Sequence, residues 1–215
     1  MEINEKIEYF VIEKKDNEVL NFEKIFNNNN PIHIEIGSGK GELLQLQSFF
    51  HKNINYIGVE VKSKRIMNTV KKLDIKINKN VRLLNLFIDE NINKWVKPQT
   101  ISEIIIFHPD PWPKRKHHSR RLIQHDFINS LSYLLKDNGF LKLSTDHTDY
   151  ANWIIKHFQE RDDFEPIFEN DSQYIFPEDH FTTYFDELKE SEGFPPQFLY
   201  YRKIKSLSER KVANV

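Results

Sequence analysis

Short apolar runs alternate with amphipathic segments along most of this chain. Five runs have the length and apolar content of buried strands: residues 32–36, 56–61, 81–86, 104–107 and 140–143. Between them, apolar residues recur three or four positions apart, which predicts helices over residues 42–50 and along three stripes: Ile66, Val70 and Leu73; Ile123, Phe127, Leu131 and Leu135; Tyr150, Ile154 and Phe158. Asn138 and Gly139 predict the end of the helix that carries the second stripe.

This order of elements predicts an α/β fold. Strands that alternate with helices form a mostly parallel, doubly wound sheet with helices on both faces. The tail adds runs at residues 173–176 and 197–202, which we expect to complete the sheet with an antiparallel strand near the C-terminus. Four asparagines and a proline end an N-terminal arm, residues 1–30. We therefore expect one domain over residues 31–205 and a tail over 206–215.

The composition is that of an ordinary globular protein, with 39% hydrophobic and 29% charged residues. The chain has no cysteine, which excludes disulfides and cysteine chemistry. No apolar run is long enough to span a membrane, and the acidic N-terminus lacks the apolar core of a signal peptide, so we expect a cytoplasmic protein. The net charge of −1 argues against a globally basic protein but leaves room for a local basic surface.

A proline-rich segment, HPDPWP, directly follows the strand predicted at residues 104–107. Its prolines alternate with His108, Asp110 and Trp112, and a residue before proline is biased toward extended geometry. In an extended segment, Asp110 and Trp112 point the same way. We therefore expect a stiff loop that holds a carboxylate beside a large aromatic ring, which suits a flat, hydrogen-bonding ligand.

Five cations fall within eight residues immediately after this loop: Lys114, Arg115, Lys116, Arg120 and Arg121, with His117 and His118 between them. Most charge runs are solvated loops. This one has a single sign in a nearly neutral chain and adjoins the rigid loop, which favours a phosphate-binding role. His108, His117 and His118 lie close in sequence to Asp110, but the flanking cations disfavour a metal ion, so we expect no metal at these three histidines.

A glycine-rich turn follows the first predicted strand, with the pattern Glu35, Gly37, Gly39 and Gly41. Its spacing, GxGxG, differs from the GxGxxG fingerprint of dinucleotide sites. A carboxylate at Glu35 would repel a pyrophosphate and attract a cationic ligand. Glu60, at the end of the second strand, could accept hydrogen bonds from ribose hydroxyls or cap the next helix.

The run PDPWPKRKHHSRR resembles the signature of bacterial tRNA (guanine-N7-)-methyltransferases, with Lys116 where that signature usually has arginine. The turn around Glu35 resembles the first motif of class I S-adenosylmethionine methyltransferases, whose fold is Rossmann-like. The resemblance implies methyl transfer from S-adenosylmethionine to N7 of a guanine in the variable loop of tRNA, with S-adenosylhomocysteine as product. It implies cofactor binding by Glu35, Gly37, Gly39, Gly41, Glu60 and Asp110, with Asp110 also the central catalytic residue.

Other segments extend the resemblance over roughly residues 31–203. Asp146 occupies the family's substrate-contacting position in an STD-like segment, although a helix N-cap explains it as well. The tail resembles a T-x-[FY]-E-x-[KR] motif, with Asp186 in place of glutamate and Leu188 at the basic position. The implied substrate contacts are Lys114, Asp146, Thr183, Phe185 and Asp186. The implied RNA contacts are Lys114, Arg115, Lys116, His117, Arg120 and Arg121.

One position departs from the family and leaves adenine binding open. Phe87 stands where an acidic residue is usual, so adenine is held either by backbone groups and the Phe87 ring or by Asp89 after a shift of the loop. Three other activities stay in view: an amino-methyltransferase, an NAD-dependent oxidoreductase, and a non-catalytic tRNA-binding protein. The order PDPW and the GxGxG spacing disfavour the first two. The sequence leaves open whether the chain is a monomer or a homodimer.

Overall fold

A single seven-stranded sheet organises the computed structural model, which describes residues 2–14, 18–167 and 181–205. Its strands are β1 (Ile32–Ile36), β2 (Asn55–Val59), β3 (Val81–Leu84), β4 (Ile101–Phe107), β5 (Leu135–Thr145), β6 (Phe164–Ile167) and β7 (Gln197–Lys203). The spatial order is β3-β2-β1-β4-β5-β7-β6. The first five strands run parallel, and β7 is antiparallel to both β5 and β6. This confirms the predicted mostly parallel α/β sheet with an antiparallel strand near the C-terminus.

Seven α-helices surround the sheet in the described part of the chain. They are α1 (Ile3–Phe10), α2 (Phe22–Phe26), α3 (Glu42–Phe50), α4 (Ser63–Lys72), α5 (His125–Leu134), α6 (Thr148–Gln159) and α7 (Tyr184–Ser191). Two 3₁₀ helices, Glu90–Lys94 and Arg115–Arg120, precede and follow β4. The 42–50 prediction agrees with α3, and the stripes at Ile66, Phe127 and Ile154 lie on α4, α5 and α6.

The core lies on both faces of the sheet because alternate residues of each strand point to opposite faces. On one face, Ile34, Ile104 and Leu141 belong to a large cluster that includes apolar residues of α5 and α6. On the other, Tyr56 and Leu83 pack with residues of α1, α3 and α4. The predicted N-terminal arm contributes to both clusters, through Phe10 on one side and Phe22 and Phe26 on the other.

The Asn138–Gly139 pair does not end helix α5, contrary to the sequence prediction. The helix ends at Leu134, and β5 begins at the next residue. Asn138 has a φ of +63°, and a Cβ on Gly139 would approach the Ser102 carbonyl oxygen within 3.1 Å. The pairing of β4 with β5 shifts register there, between Ile101 and Glu103. The Asn138–Gly139 pair therefore marks an irregularity within strand β5. Such an irregularity and a helix end both require residues that tolerate unusual backbone conformations, so the two have the same sequence signal.

Two further differences concern the C-terminal third. The sequence pattern missed β6 and α7, which are short and carry mixed apolar and polar residues. The strand predicted at residues 173–176 lies outside the described residues, as does the 206–215 tail. The run at 197–202 is confirmed as β7.

Candidate functional site

The predicted site residues lie at one edge of the sheet, where the parallel strands end. The chain leaves β1 toward β2 and β3, then returns to place β4 on the other side of β1. In open α/β sheets such a reversal opens a crevice at the carboxyl ends of the two strands. The glycine-rich turn follows β1 and the proline-rich loop follows β4, so the topology brings these two predicted motifs to the same crevice.

The glycine-rich turn adopts backbone conformations that favour glycine. Gly37, Gly39 and Gly41 all have positive φ values, of +82°, +56° and +70°. Space is also limited at Gly41, because a Cβ there would overlap the Thr69 side chain of α4. At Gly37, by contrast, a Cβ would meet no neighbouring atom within 4 Å, so this part of the turn borders open space. The turn can therefore admit a ligand close to its backbone.

Glu35 is a buried carboxylate that lacks a full set of partners. It is 9% exposed, and its Oε2 atom has no hydrogen-bond partner among the described residues. Burial, and then the nearby Glu42 carboxylate, raise the pKa of Glu35 to about 8. A buried acid of this kind is stabilised in its charged form by a cation. The residues present therefore fit the ammonium group that a class I methyltransferase cofactor carries.

Glu60 is also buried, but its oxygens have partners. Oε2 accepts hydrogen bonds from the Gly39 backbone N–H at 3.2 Å and from the Arg65 guanidinium at 3.3 Å. Oε1 accepts from the backbone N–H of Lys62, the N-cap residue of α4, at 2.8 Å. The carboxylate thus joins the glycine-rich turn to the start of α4. Ribose hydroxyls can bind there only by sharing or replacing these donors, so the predicted ribose contact stays a prediction.

The two residues considered for adenine binding differ in availability. The Asp89 side chain accepts a hydrogen bond from the Asn91 backbone N–H at 2.9 Å and so caps the Glu90–Lys94 helix. The Phe87 ring is 69% exposed after β3. This geometry favours the first alternative, in which backbone groups and the Phe87 ring face the adenine.

The proline-rich loop is not uniformly extended, which corrects the sequence prediction. His108 and Trp112 have φ values of +50° and +43°, in the left-handed region. The His108 backbone N–H donates to the Ser144 carbonyl oxygen of β5 at 2.9 Å, which continues the β4–β5 ladder beyond Phe107. Asp110 is exposed in the irregular segment that follows. Burial raises the pKa of Tyr150 to about 12, and Asp110 adds to this rise, so the two residues lie close enough to interact.

The basic segment divides into exposed and buried cations. Lys114, Arg115, Lys116 and Arg120 are exposed on and beside the Arg115–Arg120 helix. The Arg120 guanidinium lies 5.1 Å from the centre of the Trp112 ring, and His117 meets the same ring edge-on. The exposed cations and these two half-buried rings form one surface.

Arg121 does not belong to that surface, contrary to its predicted role as an RNA contact. It is 2% exposed and donates hydrogen bonds to the Pro111 carbonyl oxygen at 2.9 Å and to the Asp149 carboxylate. Its guanidinium also lies about 5.0 Å from the rings of Tyr150 and Trp153. A side chain held in this way attaches the proline-rich loop to α6 and is not available to a phosphate.

The segment 183–186 forms the start of α7. Thr183 is the N-cap, and Thr183 and Asp186 form a reciprocal capping box. Asp186 is 1% exposed, and its Oδ1 atom lies 2.8 Å from Nε2 of His108. Phe185 is 39% exposed, with its ring centre 4.5 Å from that of His108. The structure thus brings the predicted 183–186 motif to the proline-rich loop, and of the predicted contacts Thr183, Phe185 and Asp186 only Phe185 is exposed.

A second ion pair attaches α7 to the end of β5. Lys189 Nζ lies 3.4 Å from an Asp146 carboxylate oxygen, so Lys189 supplies the cation that Leu188 does not. The N-cap of α6 is His147, without a side-chain cap, so the alternative role of Asp146 as that N-cap does not hold. The Tyr184 backbone N–H also donates to Glu42 of α3, at 3.4 Å.

Sequence reasoning missed His108, Arg65, Glu42 and Lys189 as members of this site. In the sequence, His108 stands out as a residue before proline and as a weak candidate metal ligand, and no group of three or more metal-binding side chains occurs in the described ranges. Its partner, Asp186, is 78 positions away. The only signal for Lys189 in the sequence was its place beside Leu188, the position at which the motif expects a basic residue. The other contacts depend on tertiary packing.

Elsewhere, a cavity of about 610 Å³ borders helix α5, the segment before β4 and the segment that follows α6. It is lined by polar residues such as Asn129, Ser132 and Asp163 and lies away from the crevice. Within residues 2–14, 18–167 and 181–205, no helix has the length and apolarity to cross a membrane.

Comparison with known proteins adds independent findings. Residues 29–191 match a family model described as "Putative methyltransferase". A tRNA (guanine-N(7)-)-methyltransferase of Lysinibacillus sphaericus is 31% identical over 176 residues, 81% of this chain and 81% of that protein. An enzyme of the same name from Marinobacter nauticus is 29% identical over 189 residues, 87% of this chain and 79% of that protein.

Solved structures share the fold at lower identity. An rRNA methylase from Streptococcus thermophilus superposes with a TM-score of 0.54 at 15% identity, covering 82% of this chain and 89% of that one. A Streptococcus mutans methyltransferase in complex with SAH gives a TM-score of 0.52 at 18% identity, covering 81% of this chain and 89% of that one. At these identities the likeness concerns the fold alone.

Proposed function

Since the chain belongs to the tRNA (guanine-N(7)-)-methyltransferase family, we propose that it transfers a methyl group from S-adenosylmethionine to N7 of a guanine in tRNA. The observation that carries the proposal is the placement of two groups at one crevice. The buried Glu35 carboxylate, with an unpartnered oxygen among the described residues, lies on the β1 side, and the exposed Asp110 follows β4. The Glu35 carboxylate suits a cationic cofactor, and the Asp110 carboxylate suits a guanine that becomes cationic when it is methylated.

The cofactor, when bound, supplies an electrophilic methyl group on a positively charged sulfur. Glu35 would hold its ammonium group, the glycine-rich turn would face its backbone, and Glu60 would face its ribose. Guanine N7 carries a free lone pair on the major-groove edge. Because N7 loses no proton in the reaction, the site requires no strong general base.

Catalysis then depends on alignment and on charge. Holding two reactants in line can supply about 7–11 kcal/mol of the barrier. Asp110 would stabilise the positive charge that develops on guanine as its N7 is methylated. The exposed cations Lys114, Arg115, Lys116 and Arg120 would bind the phosphates of the tRNA backbone. His117, against the Trp112 ring, borders the same surface.

The finer points of the proposal rest on the resemblance. We place the acceptor guanine in the variable loop of tRNA, where a base outside a continuous duplex is accessible to a protein. Thr183, Phe185 and Asp146 would lie on the acceptor side of the crevice. A tRNA substrate also implies that the protein acts in the cytoplasm.

The test is methyl transfer from labelled S-adenosylmethionine to unmodified tRNA, followed by nucleoside analysis and mapping of the modified position. We expect 7-methylguanosine from the wild type and a loss of at least about 10²-fold in Asp110→Asn. Glu8→Gln, which neutralises an exposed acid on α1, is the matched control and should retain activity. Tight tRNA binding without any methylated nucleoside would instead indicate a non-catalytic tRNA-binding protein. A different methylated base would refute the assignment of N7.

A further inference from the structure

Helix α7 is joined to the proline-rich loop by a buried contact between His108 and Asp186. Nε2 of His108 lies 2.8 Å from Oδ1 of Asp186, and the two side chains are 10% and 0% exposed. The contact spans 78 positions of sequence and links the end of β4 to the first turn of α7. A hydrogen bond shielded from water in this way fixes the relative position of the two segments.

The contacts of Asp186 show that it acts through its neighbours. Its Oδ2 atom accepts hydrogen bonds from the Thr183 backbone N–H at 2.8 Å and from the Thr183 hydroxyl at 2.7 Å. Its Oδ1 atom faces His108. A carboxylate that is 1% exposed and engaged on both oxygens is not an accessible substrate contact. Asp186 therefore anchors the start of α7, which corrects the direct contact predicted for it.

Phe185 is an exposed ring that this anchor positions. Its ring lies against the His108 ring, with 4.5 Å between the ring centres. The Nζ atom of Lys189 lies 5.5 Å from the centre of the Phe185 ring. His108 is two residues from Asp110 in the same loop. Because His108 touches Phe185 and also binds Asp186, the aromatic ring and the loop that carries Asp110 are held as one unit.

We propose that His108 is a positioning residue for the methyl acceptor. Through Asp186 it fixes the first turn of α7, so that Phe185 offers a stacking surface to the acceptor base beside Asp110. Flat bases outside a duplex are commonly held by stacking on aromatic side chains. The inference rests on the proposed function, because it concerns the guanine that would be methylated. A displacement of the base by about 1 Å can cost about 10²-fold in rate.

Three substitutions of His108 separate this role from a general loss of structure. The residue has a φ of +50°, which asparagine tolerates better than most side chains do. His108→Asn therefore suits the backbone but is too short to reach Asp186. His108→Gln places an amide N–H near the position of Nε2. His108→Phe keeps a ring against Phe185 and removes the donor.

The measurements are kcat and KM for tRNA methylation, the Kd for tRNA, the Kd for S-adenosylmethionine, and the thermal melting temperature. We expect His108→Gln to retain kcat/KM within about threefold, and the Asn and Phe variants to lose about 10²-fold. The Kd for S-adenosylmethionine should stay the same in all three. Equal kcat/KM in the Asn, Phe and Gln variants would overturn the proposal. A parallel loss of cofactor affinity would also overturn it, since it would show a general structural role.

The two proposals can fail separately. If the wild type forms no 7-methylguanosine, the proposed function fails, and the Kd for tRNA still tests the position of α7: the Asn and Phe variants should bind tRNA more weakly than His108→Gln. Equal affinities would refute the role of His108. If the His108 variants do not fold, Phe185→Ala and Phe185→Tyr provide the test, because tyrosine keeps a stacking ring. We expect loss of tRNA methylation in the first and retention in the second, and equal activity would overturn the proposal.

Discussion

The charge state of Glu35 should control cofactor binding near neutral pH. Burial and the neighbouring Glu42 raise the pKa of Glu35 to about 8. Because one pH unit changes the ratio of the two forms tenfold, only about a tenth of the molecules carry the carboxylate at about pH 7. A bound ammonium group would stabilise the charged form. Affinity for S-adenosylmethionine should therefore rise by up to about tenfold per pH unit below about pH 8, as long as the cofactor's amino group stays protonated.

Binding should also release a proton. At about pH 7 most of the free protein holds the Glu35 proton, so binding of the charged form should displace close to one proton per cofactor. Calorimetry in two buffers with different ionisation enthalpies measures this number directly. Glu35→Gln should abolish the proton release and weaken binding. Glu42→Gln should reduce the release, because it removes one of the two causes of the raised pKa.

The same shift has a consequence for stability, with a sign that can be worked out. The pKa of Glu35 is raised above its ordinary value of 4.5, so between about pH 4.5 and pH 8 the folded protein holds a proton that the unfolded chain has lost. The free energy of unfolding should therefore fall as pH rises through this window, by up to about 1.4 kcal/mol per unit. Below and above the window, Glu35 should add no slope.

Urea unfolding of the cofactor-free protein across this range gives the test. Relative to wild type, Glu35→Gln should lose the downward slope and become the more stable protein above about pH 8. The reasoning would be refuted by parallel pH profiles for the two proteins. A cofactor affinity that is flat with pH, together with zero proton release, would refute the pairing of Glu35 with the ammonium group.

Three further predictions concern the surrounding elements. Gly41→Ala should destabilise the protein by at least about 1–2 kcal/mol in urea unfolding, because the positive φ of this position disfavours alanine. Thr69→Ser should recover part of any further loss that comes from overlap with the Thr69 side chain. A Gly41→Ala protein as stable as wild type would contradict this geometry. Arg121→Ala should lower thermal stability and leave the salt dependence of tRNA binding unchanged, because Arg121 is buried. Four exposed cations predict a log–log salt slope for tRNA binding of about −2.8 to −3.6, reduced by about 0.7–0.9 in Arg115→Ala or Lys116→Ala; a flat salt response would exclude phosphate contacts there.

The fold could be predicted from the sequence because its signals are local. Buried parallel strands appear as short apolar runs, and the helices between them carry apolar stripes at helical spacing. The glycine-rich turn was equally clear, because each of its three glycines has a positive φ that other residues rarely adopt. The N-terminal arm was less clear, since α1 and α2 are short and their burial depends on contacts with distant strands.

The detailed geometry of the site depends on tertiary contacts that no local pattern contains. Proline restricts the residue before it, yet His108 and Trp112 adopt left-handed conformations. Such conformations cost about 1–3 kcal/mol each and persist only where surrounding contacts fix them. Those of His108 include Ser144 and Asp186, which are distant in sequence. Charge patterning likewise could not separate Arg121 from Arg120, although one is buried and the other exposed.

Among the described residues, the last strand in sequence is not the last strand in the sheet. β7 lies between β5 and β6 and pairs with both, so in the described part of the chain the edge strand β6 has no strand partner until β7 is in place. During synthesis on the ribosome, the edge of β5 therefore stays unpaired by β7 until the chain has emerged past Lys203. An unpaired strand edge is a template for aggregation. A messenger cut short before this point would yield a nascent protein with an open sheet, even though every residue of the glycine-rich turn and the proline-rich loop had already been translated.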